Sequence, residues 1–188
     1  MTPLRMTLAL ASLATVARAQ GPEDLMITLK SPIAKERAAA LVALGKLKAP
    51  EIAMLEVIAA SLLDEAEDVR VAAAYSLASV AGKVGCKLEN LADCKLLKDV
   101  LEATPRATKK VPPRYPDEAK SKRIEGPVRM EFLVTPNGRV ERLHVIDGPP
   151  LICDAAMEAV KGWRYEPAKR NATAVPFAMT LTMTFRLN

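Results

Sequence analysis

"MEFLVTPNGRVERLHVI", residues 130–146, decides the fold of the second half of this chain. Val128, Met130, Phe132 and Val134 alternate with Arg129, Glu131, Leu133 and Thr135. A period of two puts the two sets on opposite faces of a strand. Pro136, Asn137 and Gly138 are turn residues, with Asn137-Gly138 able to take φ > 0, and Arg139 to Ile146 return as a second strand. No other convincing strand precedes this hairpin. A small sheet therefore closes a mostly helical chain.

The flanks of the hairpin complete a compact unit. Upstream, Pro116 suits the first position of a short helix, with Asp117 and Glu118 in its first turn and an end by Gly126. Downstream, "GPP" (148–150) breaks the chain. A helix is then predicted with Leu151, Ala155, Ala156, Ala159, Val160 and Trp163 on one face. In the last segment Phe177, Met179, Leu181, Met183, Phe185 and Leu187 alternate with Ala178, Thr180, Thr182, Thr184 and Arg186, as in a half-buried strand. The order is helix, strand, strand, helix, strand, with the second helix covering the apolar face of a three-stranded antiparallel sheet.

The first half repeats itself. "KERAAALVALGKL" (35–47) aligns with "DVRVAAAYSLASV" (68–80) at an offset of 33, so that Arg37 matches Arg70 and Leu44 matches Leu77. Such a period marks a helical solenoid. Ile52, Leu55, Ile58, Leu62 and Leu63 supply a further helical stripe between the two segments. Leu96, Leu97, Val100 and Leu101, within 86–103, supply a capping helix, which an array of only two repeats needs.

Cys86 and Cys94 bear on that cap. In one unbroken helix their Cα atoms would be about 12 Å apart, too far for a disulfide, which needs about 4.4–6.8 Å. If 86–94 forms a looped turn, with Asp93 starting the next helix, the pair can join, and an oxidising compartment favours this. Cys153 is left as a free thiol. His144 is the chain's one histidine, far from the cysteines in sequence, so no metal site is expected.

The ends and the charge bound the function. Arg5, the apolar run "MTLALASLATVA" and the small-x-small site Ala17-Arg18-Ala19 read as a signal peptide over 1–19. The alternative is a retained anchor, but twelve residues span only about 18 Å against a hydrocarbon core of about 30 Å. Periplasmic export is expected, with inner-membrane anchoring as the alternative. Residues 20–103 carry 10 basic and 13 acidic side chains, whereas 104–188 carry 15 and 9. An anionic partner for the second half fits this asymmetry, as does a solvated surface matched between domains. Few aromatics and the export signal exclude nucleic acid. Proline-rich, basic 104–112 reads as a linker between a helical domain (20–103) and the sheet domain (113–188).

Two resemblances follow from these residues. "EDVRVAAAYSLASV" (67–80) resembles the second helix of a HEAT-type repeat, a class that generally forms interaction surfaces. "YPDEAKSKRIEGPVRMEFLVTPNGRVERLHVIDG" (115–148), followed by "LICDAAMEAVKGWRYEPA" (151–168), strongly resembles the C-terminal domain of the TonB energy-transducer family. The fold class expected is thus α+β: N-terminal all-α HEAT-like repeats plus a TonB-like α-β-β-α-β domain.

The TonB resemblance implies that the sheet grips an extended segment of an envelope protein as an added strand, an outer-membrane TonB-dependent receptor being the family's example. By position, the implied contacts are Arg114, Tyr115 and Pro116 and, on the last strand, Thr180, Thr182 and Thr184. The alternative packs Tyr115 against Trp163 or Tyr165 and leaves the threonines as a solvated face. Coupling to the ExbB–ExbD motor is not expected, because the leader lacks histidine and the linker is short. A periplasmic adaptor is the expectation, monomeric or weakly dimeric. A true transducer with an uncleaved anchor, or a structural envelope protein on an anionic surface, are the alternatives. No enzyme motif, cofactor or metal is expected.

Overall fold

The computed structural model describes residues 21–86 and 94–187, and the expected leader at 1–19 lies outside the described residues. The first half comprises α1 (Pro22–Thr28), α2 (Ala34–Lys46), α3 (Ala53–Ala60, continued by a 3-10 turn, Ser61–Leu63), α4 (Glu67–Lys83) and a short α5 (Lys95–Val100). α2 and α4, the two repeated segments, pack side by side at close range. A Cβ on Gly45 would stand 3.1 Å from the Ser76 Cα. The Ser76 hydroxyl donates to the Leu41 carbonyl (2.7 Å) and the Ser79 hydroxyl to the Gly45 carbonyl (2.8 Å). Small residues at the crossing let the backbones approach, and Leu41, Leu44, Leu55, Ile58 and Leu77 fill the core around them.

The 33-residue offset has a physical counterpart. Arg37 Nη1 donates to the carbonyl of Ser31 (2.9 Å) and Arg70 Nη1 to that of Asp64 (2.8 Å), each reaching back six residues. Arg37 also clamps the Asp64 carboxylate with Nε and Nη2, both at 2.8 Å. This bidentate pair ties the first repeat to the start of the second. Its side chains are only 10% and 14% exposed.

The second half contains β1 (Arg106–Lys109), α6 (Asp117–Ser121), β2 (Gly126–Val134), β3 (Val140–Asp147), α7 (Pro150–Lys161), β4 (Arg164–Glu166), β5 (Ala168–Arg170), β6 (Thr173–Val175) and β7 (Phe177–Phe185). The main sheet has three antiparallel strands in the order β3-β2-β7. The hairpin turn uses three residues. The Thr135 and Arg139 backbones exchange a hydrogen bond across it (2.9 Å), and only Gly138 has φ > 0, at 74°. A Cβ on Gly138 would also lie 2.0 Å from the Tyr165 carbonyl, so glycine is required twice over.

Three sequence expectations need correction. The 104–112 segment is not a free linker throughout, because β1 pairs antiparallel with β4. Its side chains are mostly exposed, so it carries no burial alternation to betray a strand. The buried stripe of α7 is turned by one position: Ile152 is fully buried with Ala156 and Val160, whereas Leu151 and Ala155 are only partly covered.

The third correction concerns the sheet's two faces. Val128, Met130, Phe132 and Val134 are fully buried against Ile152, Ala156 and Val160 of α7, as the pattern predicts. The opposite face is not simply solvated. Leu133 and Ala178, paired across β2 and β7, are 2% and 1% exposed and belong to the core of the helical half. Polar ties accompany this contact. Arg170 donates to the Val100 carbonyl and pairs with Glu56, both at 2.5 Å. The backbones of Ala103 and Glu102 bond to that of Lys169. The two halves thus share one apolar core on this face, while the α7 face encloses a second.

Candidate partner-binding site

The main sheet has two edges of different character. β3 pairs with β2 through two register shifts, and Arg142 within it has φ 50°. Bulges of this kind, together with the charged Glu141, Arg142, His144 and Asp147, obstruct the addition of another strand. β7 pairs with β2 over nine consecutive positions, Gly126↔Phe185 to Val134↔Phe177, without a shift. Among the described residues it has no strand on its other side. β7 is the regular edge.

Exposure divides β7 in two. Phe177, Ala178 and Thr180 are buried, whereas Thr182 and Thr184 are exposed and Leu181 and Met183 partly so. Thr180 therefore does not stand open beside the other two threonines, because it lies at the end of the strand against which α4 packs. Sequence alternation identifies a face but not what lies on it. The accessible part of the edge runs from Leu181 to Thr184.

Of the other candidate residues, Arg114 is exposed and Pro116 partly covered. Tyr115 packs edge-on against Phe185, with ring centroids 5.4 Å apart at 84°, and its hydroxyl donates to the Ile124 carbonyl at 2.6 Å. Burial, aided by Glu125, pushes that hydroxyl up. Trp163 and Tyr165 instead pack on one another and, through Tyr165, on Phe132. Burial pushes the Tyr165 hydroxyl up to about 12. Trp163 Nε1 donates to the Val111 carbonyl (2.9 Å), anchoring the chain just before Arg114. The fold thus brings Tyr115 to the open end of β7, and the helical half closes the other end.

The family model for the Gram-negative bacterial TonB protein C-terminal matches residues 111–187. That segment is similar to the C-terminal domain of TonB proteins. Protein TonB of Klebsiella pneumoniae is 40% identical over 86 residues, covering 45% of this chain and 33% of the relative. Protein TonB of Escherichia coli K12 is 35% identical over 86 residues, covering 45% and 34%. A solution NMR structure of the Pseudomonas aeruginosa TonB C-terminal domain shares 26% identity, covers 45% of this chain and 87% of its own, and superposes with a TM-score of 0.39. The chain spans about a third of the length of these full-length relatives.

The remaining sequence candidates lie away from the β7 edge. Cys86 and Cys94 are joined by a disulfide with Cα atoms 5.5 Å apart, linking the end of α4 to the start of α5. Cys153 is free and half-buried. Burial, with Asp154 and Asp147 nearby, pushes its thiol up. His144 is exposed, with Nε2 3.4 Å from a Glu131 oxygen. Among the described residues no three His, Cys, Asp or Glu side chains group as metal ligands, and no helix is long and apolar enough to cross a membrane. Sequence reasoning missed the cover that the helical half places on β7. The available signal was Leu133, a leucine at a position that alternation assigns to the polar face.

Proposed function

We propose that the protein is a non-enzymatic binding adaptor of the cell envelope, gripping an extended segment of a partner protein as a strand added to β7. The observation that supports this is the shift-free edge strand with a stretch of its second half, Leu181 to Thr184, accessible to solvent. An edge offers unpaired backbone N–H and C=O groups, so pairing contributes affinity while side-chain pockets add selectivity. Thr182 and Thr184 flank the incoming strand, and the Arg114-Tyr115-Pro116 corner borders its far end. The helical half, read as HEAT-like repeats because Arg37 and Arg70 repeat one hydrogen bond at the sequence offset of 33, presents a second surface for another partner. An envelope partner of the receptor kind is in keeping with the similarity to TonB proteins.

Affinity capture from an envelope extract tests the reading, with residues 20–188 as bait beside the variant Thr182→Pro. Proline removes a backbone donor and is tolerated at an edge, so the sheet survives while pairing is blocked. A partner held by the parent and lost with the proline is expected. Equal retention by both forms removes β7 as the site.

A further inference from the structure

β4 carries two contrasting side-chain pairings. At one end Glu166 lies opposite Arg106 of β1, an ordinary pairing of unlike charges. At the other end Arg164 lies opposite Lys109 of β1, and on its other side Arg164 bridges to Arg139, beyond the β2–β3 turn. A register shift between Ala107 and Lys109 separates the two pairings, so Lys109 and Arg164 meet across a bulge, and like charges brought together across paired strands destabilise the pairing. Three cations thus stand in a row across three chain segments, and all three are exposed. Among the described residues none of them forms an ion pair with a carboxylate. The Arg164 guanidinium instead turns to the carbonyls of Lys161 and Trp163, at 3.2 and 2.7 Å. Lys110, 5.1 Å from the centre of the Trp163 ring, and Lys161, in the last turn of α7, extend the same positive region.

Nothing in the fold explains such a row, since either neighbour of Arg164 could be neutral without loss of a contact. We propose that Lys109, Arg139 and Arg164, with Lys110 and Lys161, form a docking face for an anionic phospholipid surface, separate from the β7 edge. The row is solvent-exposed and spread over paired backbone, with no enclosing cavity around it. That shape suits a layer of phosphate headgroups better than one small anion, which needs a cradle. Arginine forks and lysine ammonium groups both bind phosphate oxygens.

Co-sedimentation with vesicles tests this, using residues 20–188. One set of vesicles is phosphatidylcholine alone, and the other contains an equal part of phosphatidylglycerol. The variant Lys109→Gln/Arg139→Gln removes two of the charges while leaving Arg164 and its carbonyl contacts. Lys35→Gln/Lys48→Gln in the helical half removes the same net charge from exposed positions elsewhere. The parent is expected to bind only the anionic vesicles, and less in high salt. The first variant should bind about thirtyfold more weakly, at about fivefold per cation near an anionic bilayer, and the control should lose less than about threefold. Because repulsion is relieved, the first variant should melt at the parent's temperature or above it, which excludes misfolding as the cause. Absence of parent binding, or equal loss in both variants, overturns the proposal. So does a response of these residues to inorganic phosphate without any vesicle binding.

Discussion

Thr180 and Thr182 lie two positions apart on one face of β7, yet Thr180 is 6% exposed and Thr182 is open to solvent. The helical half reaches over the first and stops short of the second. An added strand therefore has a window of about four residues, or roughly 14 Å at the usual rise per residue. Crosslinking of single-cysteine variants, made in a background lacking Cys153, to a bound partner should succeed at Thr182 and Thr184 and fail at Thr180. Efficient capture at Thr180 would mean that the two halves separate on binding.

Leu133 measures how firmly the halves are joined. It projects from β2 away from α7 and is 2% exposed within the core of the helical half. Leu133→Ala should cost about 3 kcal/mol, or about 9 °C in Tm for a chain of this size. Thermal unfolding by circular dichroism checks this, and a shift under 2 °C (less than about 1 kcal/mol) would show the contact to be loose.

Acid should attack the helical half through Asp64. Its carboxyl is held below the usual range, chiefly by the hydrogen bond from Arg37 and with help from the Ala66 N–H, although burial opposes this. A depressed carboxylate contributes stability that is fully present above the unfolded value of about 3.9 and is lost as pH falls through the lower folded value. Asp64→Asn should therefore melt several degrees below the parent at neutral pH, with the gap closing from about pH 4 downward. A gap that is constant with pH would refute the role of the charge.

The disulfide should be worth measuring in the same assay. Closing a loop of this length stabilises by about 2.5 kcal/mol in the chain-entropy model. Reductant, or Cys86→Ser with Cys94→Ser, should lower the Tm to a similar extent. Thiol titration of the denatured chain should rise from one reactive group to three on reduction. In the folded chain Cys153 should alkylate slowly at neutral pH, because its thiol is pushed up.

Much of this fold is legible in the sequence for plain reasons. Val128, Met130, Phe132 and Val134 alternate because one face of β2 meets α7 and is wholly buried. The 33-residue offset is visible because α2 and α4 make equivalent contacts, including the paired arginine bonds. What stays hidden depends on contacts distant in sequence. β1 is short and mostly exposed, with Ala107 its one apolar residue, and its strand form follows from pairing with β4. Thr180 looks like Thr182 until α4 is placed beside it. Tyr115 could have met any of several aromatics, and its hydroxyl's bond to the Ile124 carbonyl holds it against Phe185.

The shared core means that kinship and cooperative unfolding draw their borders in different places. The match to the family model begins at residue 111, but Leu133, Ala168, Val175, Phe177 and Ala178 are sheltered by helices from the other side of that line. A fragment cut there would present an oily, uncovered flank and would strip β4 of its partner strand β1. Grafting this domain onto another protein therefore calls for the preceding helices as well.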